Sequence, residues 1–122
     1  MSHPYKIRKG LFRVYDALGF TLAGLRYAVV SEEAFRLEVL LVAPLLPLAL
    51  WLTDDGLRRA MLIGSLLLIL IVELLNSAVE ATVDRVSLER HPLAKVAKDM
   101  GSAAVALAML NAAVTWALLL LP

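Results

Sequence analysis

The sequence contains no cysteine. A disulfide framework is therefore excluded, and no thiol is available as a nucleophile or metal ligand. Charged residues are scarce too, at 19% against 61% hydrophobic in 122 residues, and the mean hydropathy is +0.79. That balance excludes an ordinary soluble domain, which at this length surrounds one core with its charges. Here the charges gather in blocks between long apolar runs, the layout of a small, single-domain, all-α polytopic membrane protein. GxxxxGK[ST], a glycine-rich kinase loop and an HRD catalytic-loop motif are all missing, so no soluble nucleotide-binding fold is expected. The basic residues Lys6, Arg8 and Lys9 precede no compact apolar run with a small-residue cleavage site, so no removable signal peptide is read. The net charge of +1 says little and its placement says more; no nucleic-acid partner is expected.

The chain is organised around AMLIGSLLLILIVELLNSAVEATVDR, residues 60–85. This stretch starts as an almost uniformly apolar helix and then admits polar groups. At about 100° per residue, offsets of three, seven and eleven place Glu73, Asn76, Glu80 and Asp84 on one narrow stripe. A carboxylate near the middle of a bilayer costs on the order of 3 kcal/mol even on the lenient insertion scale, so the acids should face protein, metal or water. Polar pairing between helices would account for one glutamate; a stripe in register points to a site.

Residues 5–30 read as an amphipathic surface helix, with Ile7, Leu11, Val14, Leu18, Leu22, Leu25 and Val29 recurring opposite Lys6, Lys9, Arg13 and Asp16. Its basic face suits an anionic leaflet, at about 1 kcal/mol per Lys or Arg. Tyr5, Tyr15, Phe20 and Tyr27 suit headgroup depth. Ser31 can cap the next helix, and Glu32 and Glu33 then read locally as first-turn acids. The first span, residues 34–52, is interrupted by Glu38, Pro44 and Pro47, and the prolines predict a kink. Residues 53–56 form a turn beside an interfacial Trp51.

The second span covers residues 57–83. About thirteen apolar residues precede Glu73, which puts it near the far hydrocarbon boundary, with Glu80 about 10 Å further along. Residues 84–99 make a charged connection broken at Pro92, with a new helix starting over residues 94–99. Residues 100–121 form the third span, with Gly101, Ala104 and Ala108 as a small-residue face and Trp116 as its far anchor. Ten of the twelve Lys and Arg lie outside the first connection. The positive-inside rule therefore places the N-terminus, the charged connection and the acidic stripe on the cytoplasmic face.

The chemistry these residues permit is that of a membrane-interface site built from carboxylates and metal. Glu32 and Glu80 suit a hard divalent cation. Arg13, His91 and Lys98 suit phosphate or nucleotide. Glu73, partly desolvated at the lipid boundary, suits a base that takes a proton from an alcohol.

Three runs carry a resemblance: GLRYAVVSEEAFRLE (residues 24–38), IVELLNSAVEATVDR (71–85) and AKDMGSAAV (97–105). In order and over nearly the whole chain they resemble the prokaryotic diacylglycerol kinase family, and ELLNSAVE followed by KDMGSAA is its most specific part. The resemblance implies an inner-membrane homotrimer of three-span subunits, each with an N-terminal surface helix, that transfers the γ-phosphate of ATP to diacylglycerol. Carried over by position, Glu73 matches the catalytic base with Asn76 beside it, and Glu32 and Glu80 match magnesium ligands that hold the ATP phosphates. Asp84, Lys98 and Asp99 match further polar positions, with Lys98 the phosphate partner. Arg13, Phe20, Glu89, Arg90 and His91 match nucleotide contacts. Arg13, Ala17, Leu18, Gly19, Phe20, Thr21, Leu22, Arg26, Ser102 and Trp116 match places where the lipid lies. Ser31, Glu33 and Asn111 depart from the commoner pattern. Two alternatives stay open on the residues alone: a related kinase acting on undecaprenol, and a non-enzymatic helical or proton-conducting module that uses the acidic stripe for assembly.

Overall fold

The computed structural model describes residues 9–122. Residues 5–8 of the expected surface helix, with Tyr5, Lys6, Ile7 and Arg8, lie outside the described residues. The described chain is all helical: α1 (Leu11–Ser31), α2 (Glu33–Leu52), α3 (Gly56–Val86) and α4 (Pro92–Leu120). By length and apolar composition α2, α3 and α4 are each able to cross a membrane.

Each junction is fixed by side chains that satisfy the backbone groups a helix end leaves unpaired. Between α1 and α2 the chain turns at Glu32, which is extended at φ −108° and ψ 105°. Arg36 donates to the carbonyls of Val29 (3.0 Å) and Val30 (2.8 Å), which closes the end of α1 from the first turn of α2. Ser31 is the last residue of α1 and caps nothing in α2; Glu32 occupies the N-cap position, and its side chain makes no capping bond. The expected Ser31 cap is thus corrected. The side-chain link present here serves different groups: the Arg36 guanidinium donates to two carbonyls at the end of α1, and no side chain accepts from the first N–H groups of α2.

At the α2–α3 turn, Asp55 accepts from the Arg58 N–H at 2.9 Å, an N-cap of the kind typically worth about 1 kcal/mol. Arg59 reaches back to the carbonyls of Thr53 (2.7 Å) and Leu50 (2.6 Å). Beyond α3, His91 Nδ1 accepts from the Leu93 N–H at 3.1 Å, and Pro92 stands at the first turn of α4, where its missing N–H costs nothing.

Helix α2 runs through both Pro44 and Pro47 without a break in assignment. Helix α3 is the centre of the molecule, packed most extensively on α4 and next on α2, while α1 rests lightly on α2. Leu62, Leu66 and Ile69 of α3 are buried, as are Phe35, Val42 and Ala49 of α2 and Ala108 and Ala112 of α4. The small-residue face of α4 runs through Gly101, Ala108 and Ala112. Ala104, expected on it, is exposed because it lies about 60° around the helix from Gly101. Near the far end of the bundle, Trp116 Nε1 donates to Ser65 Oγ (3.2 Å) and the Leu62 carbonyl (3.3 Å), which ties α4 to α3.

Candidate active site at the polar end of the bundle

The acidic stripe sits where α3 stops being apolar. Glu73 is 4% exposed, and Asn76 and Glu80 are half-buried. From the first turn of α3 at Gly56, seventeen residues at 1.5 Å each put Glu73 about 25 Å along the helix, close to the thickness of a hydrocarbon core. On α2, Glu38 is 6% exposed, and its Oε2 is buried with no hydrogen-bond partner among the described residues. Glu80 lies two turns along α3 from Glu73, and Glu32, between α1 and α2, lines a hollow with Leu74, Ser77 and Ala81 of α3, so Glu32, Glu38, Glu73 and Glu80 belong to the same end of the bundle.

One turn along α3, Asn76 Nδ2 donates to Glu80 Oε1 at 3.4 Å. Asn76 Oδ1 is buried and has no hydrogen-bond partner among the described residues. The reason this amide fits lies on α4: a Cβ at Gly101 would overlap Asn76 Oδ1. Only glycine leaves that space.

Two hollows flank the stripe. One, about 400 Å³, lies between α1 and α3 beside the start of α2, and Phe20, Thr21, Gly24, Glu32, Ser77 and Ala81 contribute to its wall. The other, about 720 Å³, lies where α3 and α4 meet their connection. Its polar lining includes Asp84, Glu89, Arg90, His91, Lys95, Lys98 and Asp99, with Val83, Leu88 and Pro92 among the apolar residues. Lys98 Nζ is paired with Asp84 across the two helices at 2.9 Å, and Lys95 with Asp99 at 2.6 Å within α4. Both pairs are well exposed and add little to stability. Their effect is to hold two lysines beside the larger hollow.

The expected site residues therefore separate into groups. Glu32, Glu73, Asn76 and Glu80 come together, and Glu89, Arg90, His91, Lys98 and Asp99 come together in the larger hollow. Phe20 and Thr21 face the smaller hollow in company with Glu32. Arg13, Ala17, Leu18, Gly19, Leu22, Arg26 and Ser102 are exposed and line neither hollow. Trp116 stands beside Ser65, eight residues or about 12 Å back along α3 from Glu73.

Three residues beside the stripe were not picked out as site residues. Glu38 interrupts its span in the sequence pattern, and the rule that singles out a carboxylate in a hydrophobic helix applies to it equally. The sequence pattern marks Gly101 only as a packing residue, and Ser77 carries no signal in it, because its place in the smaller hollow depends on α1.

A family model, prokaryotic diacylglycerol kinase, matches residues 19–120. A diacylglycerol kinase of Pseudomonas aeruginosa is 56% identical over 118 residues, covering 97% of this chain and 96% of the relative. One from Escherichia coli K12 is 48% identical over 111 residues, 91% of each chain, and one from Haemophilus influenzae is 41% identical over 107 residues, 88% of this chain and 91% of the relative. Identity at this level, spread end to end over three helices able to span a membrane and a buried acidic stripe, makes this chain a member of the prokaryotic diacylglycerol kinase family.

Proposed function

We propose that this chain is a diacylglycerol kinase that transfers the γ-phosphoryl group of ATP to the free hydroxyl of the lipid, giving phosphatidic acid at the cytoplasmic face of a bacterial inner membrane. The observation that carries this reading is the buried Glu73 carboxylate where the apolar part of α3 ends, with the Glu32 hollow bordered by the adjacent Leu74 and Ser77 and the Lys98 hollow beginning further along the same helix at Val83. The hydroxyl of a glyceride lies at headgroup depth, and triphosphate arrives from water. A base at the boundary between the two meets both.

Residue by residue, the lipid hydroxyl gives its proton to Glu73 as its oxygen bonds to the γ-phosphorus. The bond from that phosphorus to the β–γ bridging oxygen breaks, and ADP leaves with the electron pair. Phosphoryl transfer of this kind needs alignment and charge neutralisation more than covalent chemistry. Lys98 supplies a cation for the phosphates, and Glu89, Arg90, His91 and Asp99 surround the nucleotide in the larger hollow. His91 spends Nδ1 on the α4 cap and keeps Nε2 for a ligand. Phe20, Thr21 and the exposed face of α1, with Arg13, Ala17, Leu18, Gly19, Leu22 and Arg26, border the path of the lipid, with Ser102 and Trp116 along α4.

Magnesium fits the donor set. Among the described residues no three His, Cys, Asp or Glu stand close enough to form a cage. Magnesium needs none, because it binds through one or two carboxylates and completes its shell with water and phosphate oxygens. Glu32 and Glu80 would hold it, and when bound it neutralises charge on the transferring phosphates. A homotrimer accounts for the many exposed leucines and valines on α2, α3 and α4, which then face lipid or a second copy.

The test supplies purified protein with γ-labelled ATP and magnesium together with either diacylglycerol or undecaprenol. Label on the glyceride supports the assignment, and label on the polyprenol alone refutes it.

A further inference from the structure

The reaction above gives no task to Ser77, which stands on α3 one turn beyond Glu73, about 6 Å along the axis toward the polar end. At 100° per residue it lies about 40° around the helix from Glu73. That places it between the acidic stripe and the wall that Leu74 and Ala81 give to the smaller hollow. A hydroxyl inside a helix commonly donates to a carbonyl one turn behind it and is then spent. Ser65, Thr21 and Thr82 do so here, at 2.8, 2.9 and 2.8 Å. Ser77 does not: it is half-buried, and its side chain makes no hydrogen bond among the described residues. Its oxygen is not sealed in the interior, and it opens on the hollow that Glu32 also lines. An uncommitted O–H donor therefore faces the site.

We infer that Ser77 donates this hydrogen to a non-bridging oxygen of the phosphoryl group in transfer, a reading that rests on Glu73 as the base and ATP as the phosphoryl donor. Two acceptors suit a hydroxyl here, an ester carbonyl of the glyceride and an oxygen of the phosphoryl group. Depth decides between them. A glyceride lies in a bilayer with its esters on the hydrocarbon side of its free hydroxyl, so with that hydroxyl at Glu73 the esters lie back along the apolar part of α3. Ser77 lies on the opposite side of Glu73, the side from which triphosphate arrives. The phosphorus bonds to the oxygen that Glu73 deprotonates, and its other oxygens then stand further out, level with a side chain one turn beyond the base. No proton or electron pair passes to or from Ser77. Its hydrogen bond stabilises the charge spread over the phosphoryl oxygens during transfer.

The test compares Ser77→Ala, Ser77→Thr and Glu73→Gln with the parent in the intact detergent- or nanodisc-held protein. Alanine removes one oxygen and favours a helix, so assembly is preserved. Rates are measured with a diacylglycerol and with a dialkylglycerol, whose ether links carry no carbonyl, and inhibition constants are measured for ADP and β,γ-methylene-ATP. Ser77→Ala is expected to lose roughly ten- to a hundredfold in kcat, by the same factor with either lipid. It should weaken the methylene analogue, which keeps a terminal phosphate, at least about threefold and leave ADP unchanged. Ser77→Thr keeps the hydroxyl and should stay close to the parental rate. A loss confined to the diacyl lipid assigns the hydroxyl to an ester and overturns the inference. Parental turnover in Ser77→Ala, equal losses in the Ala and Thr variants, or equal shifts or none for the two nucleotides overturn it as well. Normal turnover in Glu73→Gln overturns the base instead. A parent that labels undecaprenol and neither glyceride overturns the lipid assignment alone, because that alcohol has no ester and the loss in Ser77→Ala is then read with it.

Discussion

At the scale of single residues, the most constrained position outside the acids is Gly101. Its missing side chain is the space in which the Asn76 amide lies, and that amide donates to Glu80. Gly101→Ala places a methyl against the end of a flexible side chain rather than against backbone, so the fold should survive and Asn76 should turn aside. Turnover is expected to fall at least tenfold with thermal stability nearly unchanged, and kinetics beside a melting curve check both halves. If Glu32 and Glu80 are the magnesium ligands, changing either to Gln should raise the magnesium and ATP concentrations needed for half-maximal rate far more than that of lipid. The reverse pattern in a magnesium titration would move the metal elsewhere. The stripe of Glu73, Asn76 and Glu80 could be read from spacing because one helix carries it and 100° per residue fixes its direction. Glu38 is legible by the same rule, as a carboxylate in an apolar span; Ser77 and the reason for Gly101 are not, because each depends on a neighbour from another helix.

At the scale of elements, helix existence followed from apolar length, and the junctions followed less well. The α1–α2 break was expected at a Ser31 cap and is made by Arg36 bonding to carbonyls six and seven residues behind it, a link no capping motif encodes. Glu32 stands at the N-cap of α2 without a capping bond, and its side chain lines the hollow beside Ser77 and Ala81. Arg36→Met should therefore loosen α1 from α2 and weaken the smaller hollow. Faster amide hydrogen exchange over the last turn of α1 and a higher KM for lipid at unchanged melting temperature are expected; unchanged exchange would show that the guanidinium is dispensable. Helix α4 carries the complementary constraint. Lys98 bonded to Asp84 at one end and Trp116 bonded to Ser65 at the other fix its register on α3, so that Gly101 comes level with Asn76.

At the scale of the whole molecule, length and hydropathy decide how the site meets the membrane. Helix α3 has 31 residues, about 45 Å, against a hydrocarbon core of about 30 Å. Some 15 Å must protrude, and the apolar end cannot be the part that does so without exposing leucines to water. The end carrying Glu80, Asp84 and Arg85 therefore stands out of the hydrocarbon, together with the connection that bears Glu89, Arg90 and His91. In the orientation proposed from the basic residues that side faces the cytoplasm, with only Arg58 and Arg59, next to Asp54 and Asp55, on the other. The chain's lack of cysteine makes this orientation directly measurable. A single cysteine in place of Asp54, whose side chain is fully exposed, should react with an impermeant maleimide applied to the periplasmic side of spheroplasts. A single cysteine in place of Leu88, 86% exposed on the far connection, should react only after the membrane is opened. The opposite labelling would place the acidic stripe away from cytosolic ATP, and a kinase so oriented could not draw on it.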